Sequence, residues 1–321
     1  MNPTGGLPRR KSALAQITLK GPVLVFDAGN ALFAVEGKAD EALKPRAQFI
    51  LETMARLGTK VMAAGAKDLG AGGSWLKQAA AKAGLKVLSA NLKENGERLF
   101  DGSTVVTADG TRFGFIGLSA PGETEGSTPM VAEPLIPAVK AELAKLKGQA
   151  DFVILLAAVR QVDAFELAKE FAGQIDFIVK SGEAVGMIPA QNINGTWVVG
   201  GGAKGQALAQ VALKLNGKGP LIDLSAVARE KELLASLELK IKQFEPRVKA
   251  AQDPKSKELM KQTLAELVAR RKEQKKKVDP GVSRNARTFD FTYVMLNASV
   301  VDEPELKAKV LEYEPTYAGA H

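Results

Sequence analysis

Gly21-Pro22-Val23-Leu24-Val25-Phe26-Asp27-Ala28-Gly29-Asn30 is the stretch from which the fold can be read. Gly-Pro punctuates the chain, Val23 to Phe26 form a buried apolar strand, and Asp27-Ala28-Gly29-Asn30 stops that strand in a turn. Residues 39–57 then place apolar side chains at helical spacing, with Gly58 at the C-cap. Lys60 to Ala64 reads as a second strand ending at Gly65, followed by a helix over 73–83 and a strand from Lys86 to Ala90. Asp109-Gly110 turns a hairpin of 103–108 with 112–118. Helices near 134–147 and 162–172 lead to strands Phe152–Leu156 and Asp176–Val179, and Thr196–Val199 with Ala207–Leu215 complete the layer. Strands alternating with helices over residues 20–215 predict an α/β sandwich rather than segregated helices and strands.

After Pro220 the period changes. Leu234, Leu237, Ile241, Phe244 and Val248 recur at spacings of three and four, a coiled-coil seam. Asp253-Pro254 breaks it, and Leu259, Met260, Leu264, Leu267 and Val268 form a second stripe. A short connection between two stripes predicts an antiparallel helical hairpin over about 225–278, with Pro246 kinking its first arm. A strand from Thr288 to Leu296 and a short helix around 303–312 follow. The expected division is a sandwich domain over 1–218 and, over 219–321, the hairpin with a return segment.

Of the 321 residues, 45% are hydrophobic and 25% charged, a globular composition. No apolar run approaches the roughly 20 residues of a membrane-spanning helix. There is no cysteine, which excludes disulfides, thiolate nucleophiles, zinc–cysteine sites and iron–sulfur clusters. The single histidine is His321, so histidine-centred triads, His-rich dinuclear centres and axial-His haem would need the last residue. The net charge of +8 is local: between Ser225 and Lys277 fifteen basic and eight acidic residues leave +7 in the hairpin.

In an open α/β sheet, ligands bind beyond the carboxyl ends of the strands. Here those ends are Asp27–Asn30, Gly65–Leu69, Ala90-Asn91, Ala157–Arg160 and Lys180–Glu183. Their order resembles the metallophosphoesterase domain of the 5′-nucleotidase family, within the calcineurin-like superfamily, and most of all exported nucleotidase-like proteins of bacteria. Gly5-Gly6-Leu7-Pro8-Arg9-Arg10 is similar to the family's early Gly-Gly-Leu-Ala-Arg-Arg, and Val23 to Asn30 to its strand ending in Asp-Ala-Gly-Asp. Leu57-Gly58 to Leu69 sits where the family has Gly-Asn-His-Glu-Phe, and Leu88-Ser89-Ala90-Asn91 is similar to its Leu-Ser-Ala-Asn. Phe113–Leu118 resembles its Ile-Gly-Phe-Ile-Gly-Leu, Ala150-Asp151 to Ala158 the strand ending in Ser-His, and Ile175–Ile178 the strand before Gly-His-x-His.

The resemblance implies a calcineurin-like αββα sandwich and, in the family, two metal ions that activate a bridging water and clamp phosphoryl oxygens. At the matching positions this chain has Asn30 for the bridging aspartate, Ala66-Lys67 for Asn-His, Ala158 for a histidine, and Ser181-Gly182-Glu183-Ala184 for Gly-His-x-His. A neutral amide, two alanines and an ammonium do not hold two divalent cations. No catalytic residue, metal or cofactor is therefore expected. Any single metal would have to use Asp27, Asp68 and Glu183. Lys67, Arg160 and Lys180, with Asn30, read in two ways: as solvated loop residues on a decayed surface, or as fixed cations that replace the metal charge and bind a phosphate-like anion.

Other motifs read as structure. Gly200–Gly205 runs from strand to strand, with no helix N-terminus to complete a phosphate loop. Asp163/Glu166 and Asp302/Glu303 lie at helix starts, where carboxylates cap. Arg270–Lys277 closes a helix and lacks the aromatics that stack bases, which disfavours nucleic acid. The hairpin stands in place of the family's substrate domain and is expected to meet a protein partner or a second copy, or to touch a membrane surface. The functional expectation is a catalytically inactive nucleotidase-like binding or scaffold protein, against a phosphoesterase with an altered metal site. Residues 1–16 hold no signal peptide. The resemblance implies a periplasmic protein whose export signal has been removed.

Overall fold

The structure is a computed structural model describing residues 4–124, 129–183, 186–202, 204–215, 217, 219–278 and 286–317. Ala184 and His321 lie outside the described residues. The chain divides into two compact units, one of residues up to Ala209 with those from Tyr293 onward, the other of Gln210–Thr292.

The elements in order are α1 (Leu7–Thr18), β1 (Val25–Asp27), α2 (Lys44–Arg56), β2 (Thr59–Ala63), α3 (Gly73–Ala83), β3 (Lys86–Leu88), β4 (Leu92–Glu94), β5 (Glu97–Arg98), β6 (Ser103–Ala108), β7 (Thr111–Ser119), β8 (Gly122–Thr124) and β9 (Met130–Ala132). They continue as α4 (Leu135–Leu146), β10 (Phe152–Ala158), α5 (Gln161–Glu170), β11 (Phe177–Ser181), β12 (Gln191–Ile193), β13 (Thr196–Gly200), β14 (Ala207–Lys214), β15 (Leu221–Asp223), α6 (Leu224–Ala250), α7 (Pro254–Val278), β16 (Arg287–Met295) and α8 (Pro304–Tyr313).

The first unit is the expected αββα sandwich. One sheet has the parallel order β1-β2-β3 and the other the order β12-β13-β11-β10-β7-β6. They pack face to face: the Phe26 and Phe115 rings lie 5.2 Å apart, and a Cβ at Gly117 would overlap Leu88. Leu51, Met54, Leu76 and Ala80 of α2 and α3 bury against Met62, Ala64 and Val87 on the outside of the smaller sheet. Val139, Leu146, Ala164 and Leu167 of α4 and α5 bury against Ile116, Leu155, Ile178 and Val198 of the larger one. β10 pairs in parallel with both neighbours. A strand buried on both faces reads as a continuous apolar run, as Phe152 to Ala158 does.

Three local readings change. The Val23–Phe26 strand is Val25–Asp27, half-buried at a sheet edge. β14 does not complete the larger sheet but belongs to the order β14-β16-β15. The edge is taken by β12, because Asn194 (φ 50°) and Gly195 (φ 92°) both enter the left-handed region and fold β12 back on β13 in a tight hairpin. The third change is α1, a helix beginning within the Gly-Gly-Leu-Pro-Arg-Arg stretch. It is held by α8 and its flanks: Arg9 Nε lies 3.3 Å from Asp302, Lys11 Nζ 2.8 Å from Glu303, and Gly5 N–H donates to the Leu296 carbonyl.

In the second unit, Asp223 caps α6 by accepting from the Ser225 N–H. α6 runs as one helix through Pro246. Three residues connect it to α7, and Gln274 near the end of α7 donates to the Glu230 carbonyl near the start of α6, so the two run antiparallel. Ile241 and Val248 are buried in the seam.

Candidate functional site

The loops that follow β1, β2 and β11 converge on Asn30. Its backbone is left-handed, φ 66°, a conformation asparagine tolerates better than most residues. Its side-chain oxygen accepts the Lys67 N–H at 3.0 Å and its amide nitrogen donates to Ser181 Oγ at 3.1 Å. Ser181 Oγ in turn donates to the Ala28 carbonyl at 2.6 Å. Gly29, at φ 90°, sits against the backbone of Ala63 and Gly65, where a Cβ would collide. The Asn30 side chain is thus a three-way tie between loops.

Asp68 is the second tie. It is fully buried, and its oxygens accept N–H bonds from Asn30 (2.6 Å), Ala31 (2.8 Å), Leu32 (3.1 Å) and Gly65 (2.9 Å). Burial pushes its carboxyl up to about 7; the N–H donors pull the other way and the neighbouring Asp27 charge adds to the rise. Asp27 is half-buried and accepts from the Gly29 N–H at 2.9 Å. Burial raises its carboxyl too, opposed by the Arg10 charge.

The cations of the expected anion site are placed unequally. Lys180 is buried, with Nζ 3.3 Å from Glu183 Oε2. That same oxygen accepts the Gln161 N–H at 2.7 Å, and this bond with the Lys180 contact holds the Glu183 carboxyl below its usual range. Arg160 grips Asp163 with two bonds of 2.9 Å. Lys67 is half-buried, with no carboxylate at ion-pair distance among the described residues. The structure brings Asn30 and Lys67 together through a backbone bond, while Arg160 and Lys180 are already matched to carboxylates of their own.

The donors at this surface do not fit a dinuclear metal centre. Ala66 and Ala158 offer nothing, Lys67 is a cation, both polar atoms of the Asn30 amide are engaged, and Asp68 is saturated by backbone donors. Among the described residues no group of three His, Asp or Glu side chains is arranged to hold a metal. Two residues carry more than their sequence suggests. Ser181 reads there only as part of a segment matched to Gly-His-x-His, and Asp68 only as one of three carboxylates open to a single metal. Asp68 accepts the N–H of Gly65 three residues back, which is half of a capping box; glycine has no side chain to supply the other half, so the sequence carries no strong signal for it.

This fold is that of the 5′-nucleotidases and calcineurin-like phosphoesterases. Among solved structures, a 5′-nucleotidase precursor from Thermus thermophilus matches over 99% of this chain and 54% of its own, with TM-score 0.65 and 15% identity. The Thermus thermophilus sulfate thiohydrolase SoxB, solved with glycerol, matches over 66% of this chain and 40% of its own, with TM-score 0.57 and 19% identity. The calcineurin-like phosphoesterase YfkN of Bacillus subtilis matches over 66% of this chain and 77% of its own, with TM-score 0.53 and 17% identity. The chain spans about half the length of the first two, and at such identities the likeness establishes the fold alone. No protein-family model matches the chain, and no curated protein matches it in sequence.

Proposed function

We propose that this chain is a nucleotidase-like protein without metal-dependent hydrolysis, acting as a binding or scaffold protein. The observation that carries the reading is Asn30: where the resemblance calls for a bridging carboxylate, a neutral amide spends both its polar atoms on neighbouring loops. Asp68, the nearest alternative ligand, is engaged by four backbone donors. Incubation with manganese or cobalt, followed by metal analysis and a panel of phosphate and nucleotide esters, tests it. The expected result is no stoichiometric metal and no turnover above the blank. Stoichiometric metal with hydrolysis that Asp68→Ala abolishes would overturn the reading and restore a phosphoesterase with an altered site.

Within this reading the anion site centres on Lys67 beside Asn30, since Arg160 and Lys180 have carboxylate partners. Titration calorimetry with phosphate, AMP and polyphosphate reads it directly. An absence of heat at millimolar ligand removes the anion site while leaving the scaffold reading intact.

A further inference from the structure

The less exposed positions of the hairpin define its seam: Leu234, Leu237, Ile241, Phe244 and Val248 on α6, and Met260, Leu264, Leu267, Arg271 and Gln274 on α7. In heptad terms these are a and d, and the residue before each a is g. In an antiparallel pair the g rows of the two helices share one side of the coil and the e rows share the other. The g row holds Leu233, Lys240 and Arg247 on α6, and Thr263, Arg270 and Lys277 on α7, with no acid. Glu238 and Glu245 fall on the e side. The g-row side chains other than Thr263 are exposed, joined at the outer margin by Leu259 at 66%, and Leu233 itself is 50% exposed. Glu266 and Glu273 are the acids on that margin, and Glu273 is already paired with Lys276.

We propose that this face docks on an anionic lipid surface. The inference is independent of whether the sandwich hydrolyses anything. Four features select the occupant. The charge is one-signed along a row about 21 Å long from Leu233 to Arg247, and +7 on every hairpin repels a second copy. Eleven of the fifteen basic residues in the segment are lysines, which act as diffuse point charges rather than as planar forks for a fixed carboxylate. Exposed leucines lie in and beside the cationic row, where the acyl boundary of a bilayer would receive them and an acidic polypeptide would not. The segment's one aromatic, Phe244, sits in the seam, which leaves no platform for stacking bases.

The test uses the full chain and co-sedimentation with vesicles of phosphatidylcholine alone or equimolar with phosphatidylglycerol. Binding is expected only to the anionic vesicles, and is expected to fall away between about 0.05 and about 0.5 M salt. Replacing Lys240→Gln, Arg247→Gln and Arg270→Gln together should lower partitioning about a hundredfold. Leu233→Ser with Leu259→Ser should lower it about tenfold through lost apolar insertion. All five positions are exposed, so circular dichroism should report an unchanged fold. No association with anionic vesicles at low salt would overturn the proposal. So would tighter binding to duplex DNA or polyglutamate than to the vesicles, or vesicle binding indifferent to the leucine substitutions.

Discussion

Asn30 and Asp68 show how two side chains can fasten three loops at one end of the sandwich. Asp68 does so as a buried carboxyl lifted from 3.8 to about 7, chiefly by desolvation. Between those values the folded chain holds a proton that the unfolded chain has released. Its stabilising share is therefore complete below the lower value and declines as pH rises toward the upper one. Urea midpoints should fall across that window, by an amount on the order of a few kcal/mol, and Asp68→Asn should flatten the slope. A midpoint that climbs over the same interval would show that the N–H donors, not burial, set this carboxyl. Asn30→Val should cost about 2–4 kcal/mol, because a β-branched residue resists φ 66° and two hydrogen bonds go with the amide. Asn30→Gly keeps the backbone geometry, so thermal melting of the pair separates strain from lost bonding. That Asn30, Ala66 and Ala158 offer no charged donor is legible from residue identity alone. That Asn30 reaches Ser181, far along the chain, is not, since a side-chain bond between distant loops leaves no periodic trace.

Elements are most legible where chemistry is local. Asp109-Gly110 turns β6 into β7 as expected, and α3 spans the residues its spacing indicates. Sequence and structure part where two local signals compete. Asn194-Gly195 is as strong a turn as Asp109-Gly110, and it puts β12 rather than β14 at the sheet edge. α1 has no acid in its first turn and no side-chain cap, so its sequence announces a helix start only weakly, through Pro8. The four-stranded antiparallel sheet β5-β4-β9-β8 is built from pieces of two or three residues, too short for an alternating pattern. In the hairpin, Pro246 denies α6 one helical hydrogen bond on an exposed face. Pro246→Ala should stabilise that helix by about 1–3 kcal/mol. Hydrogen exchange should register it as slower exchange in the last turns of α6, with no change in the sandwich.

At the scale of the whole molecule, charge and core are segregated. The hairpin segment holds +7 of the +8, and the sandwich buries two apolar clusters, one beneath each pair of helices. The sandwich is also laced across great chain distance by α1 and α8. Arg9, 6% exposed, reaches the Leu296 carbonyl 287 residues on and meets Asp302 beyond it. A chain ending at Met295 should therefore be cut by trypsin at Arg9, whereas the full chain should resist there; equal resistance would mean that α1 docks without its distant partners. This lacing sets a timetable for biosynthesis. At roughly 5–20 residues per second, the ribosome needs on the order of 15–60 seconds to travel from Arg9 to Asp302. For that interval α1 lacks the partners that bury Arg9, and its arginine and apolar side chains are open to whatever chaperone or membrane surface is near. α8, made long after α1, completes the place where α1 sits.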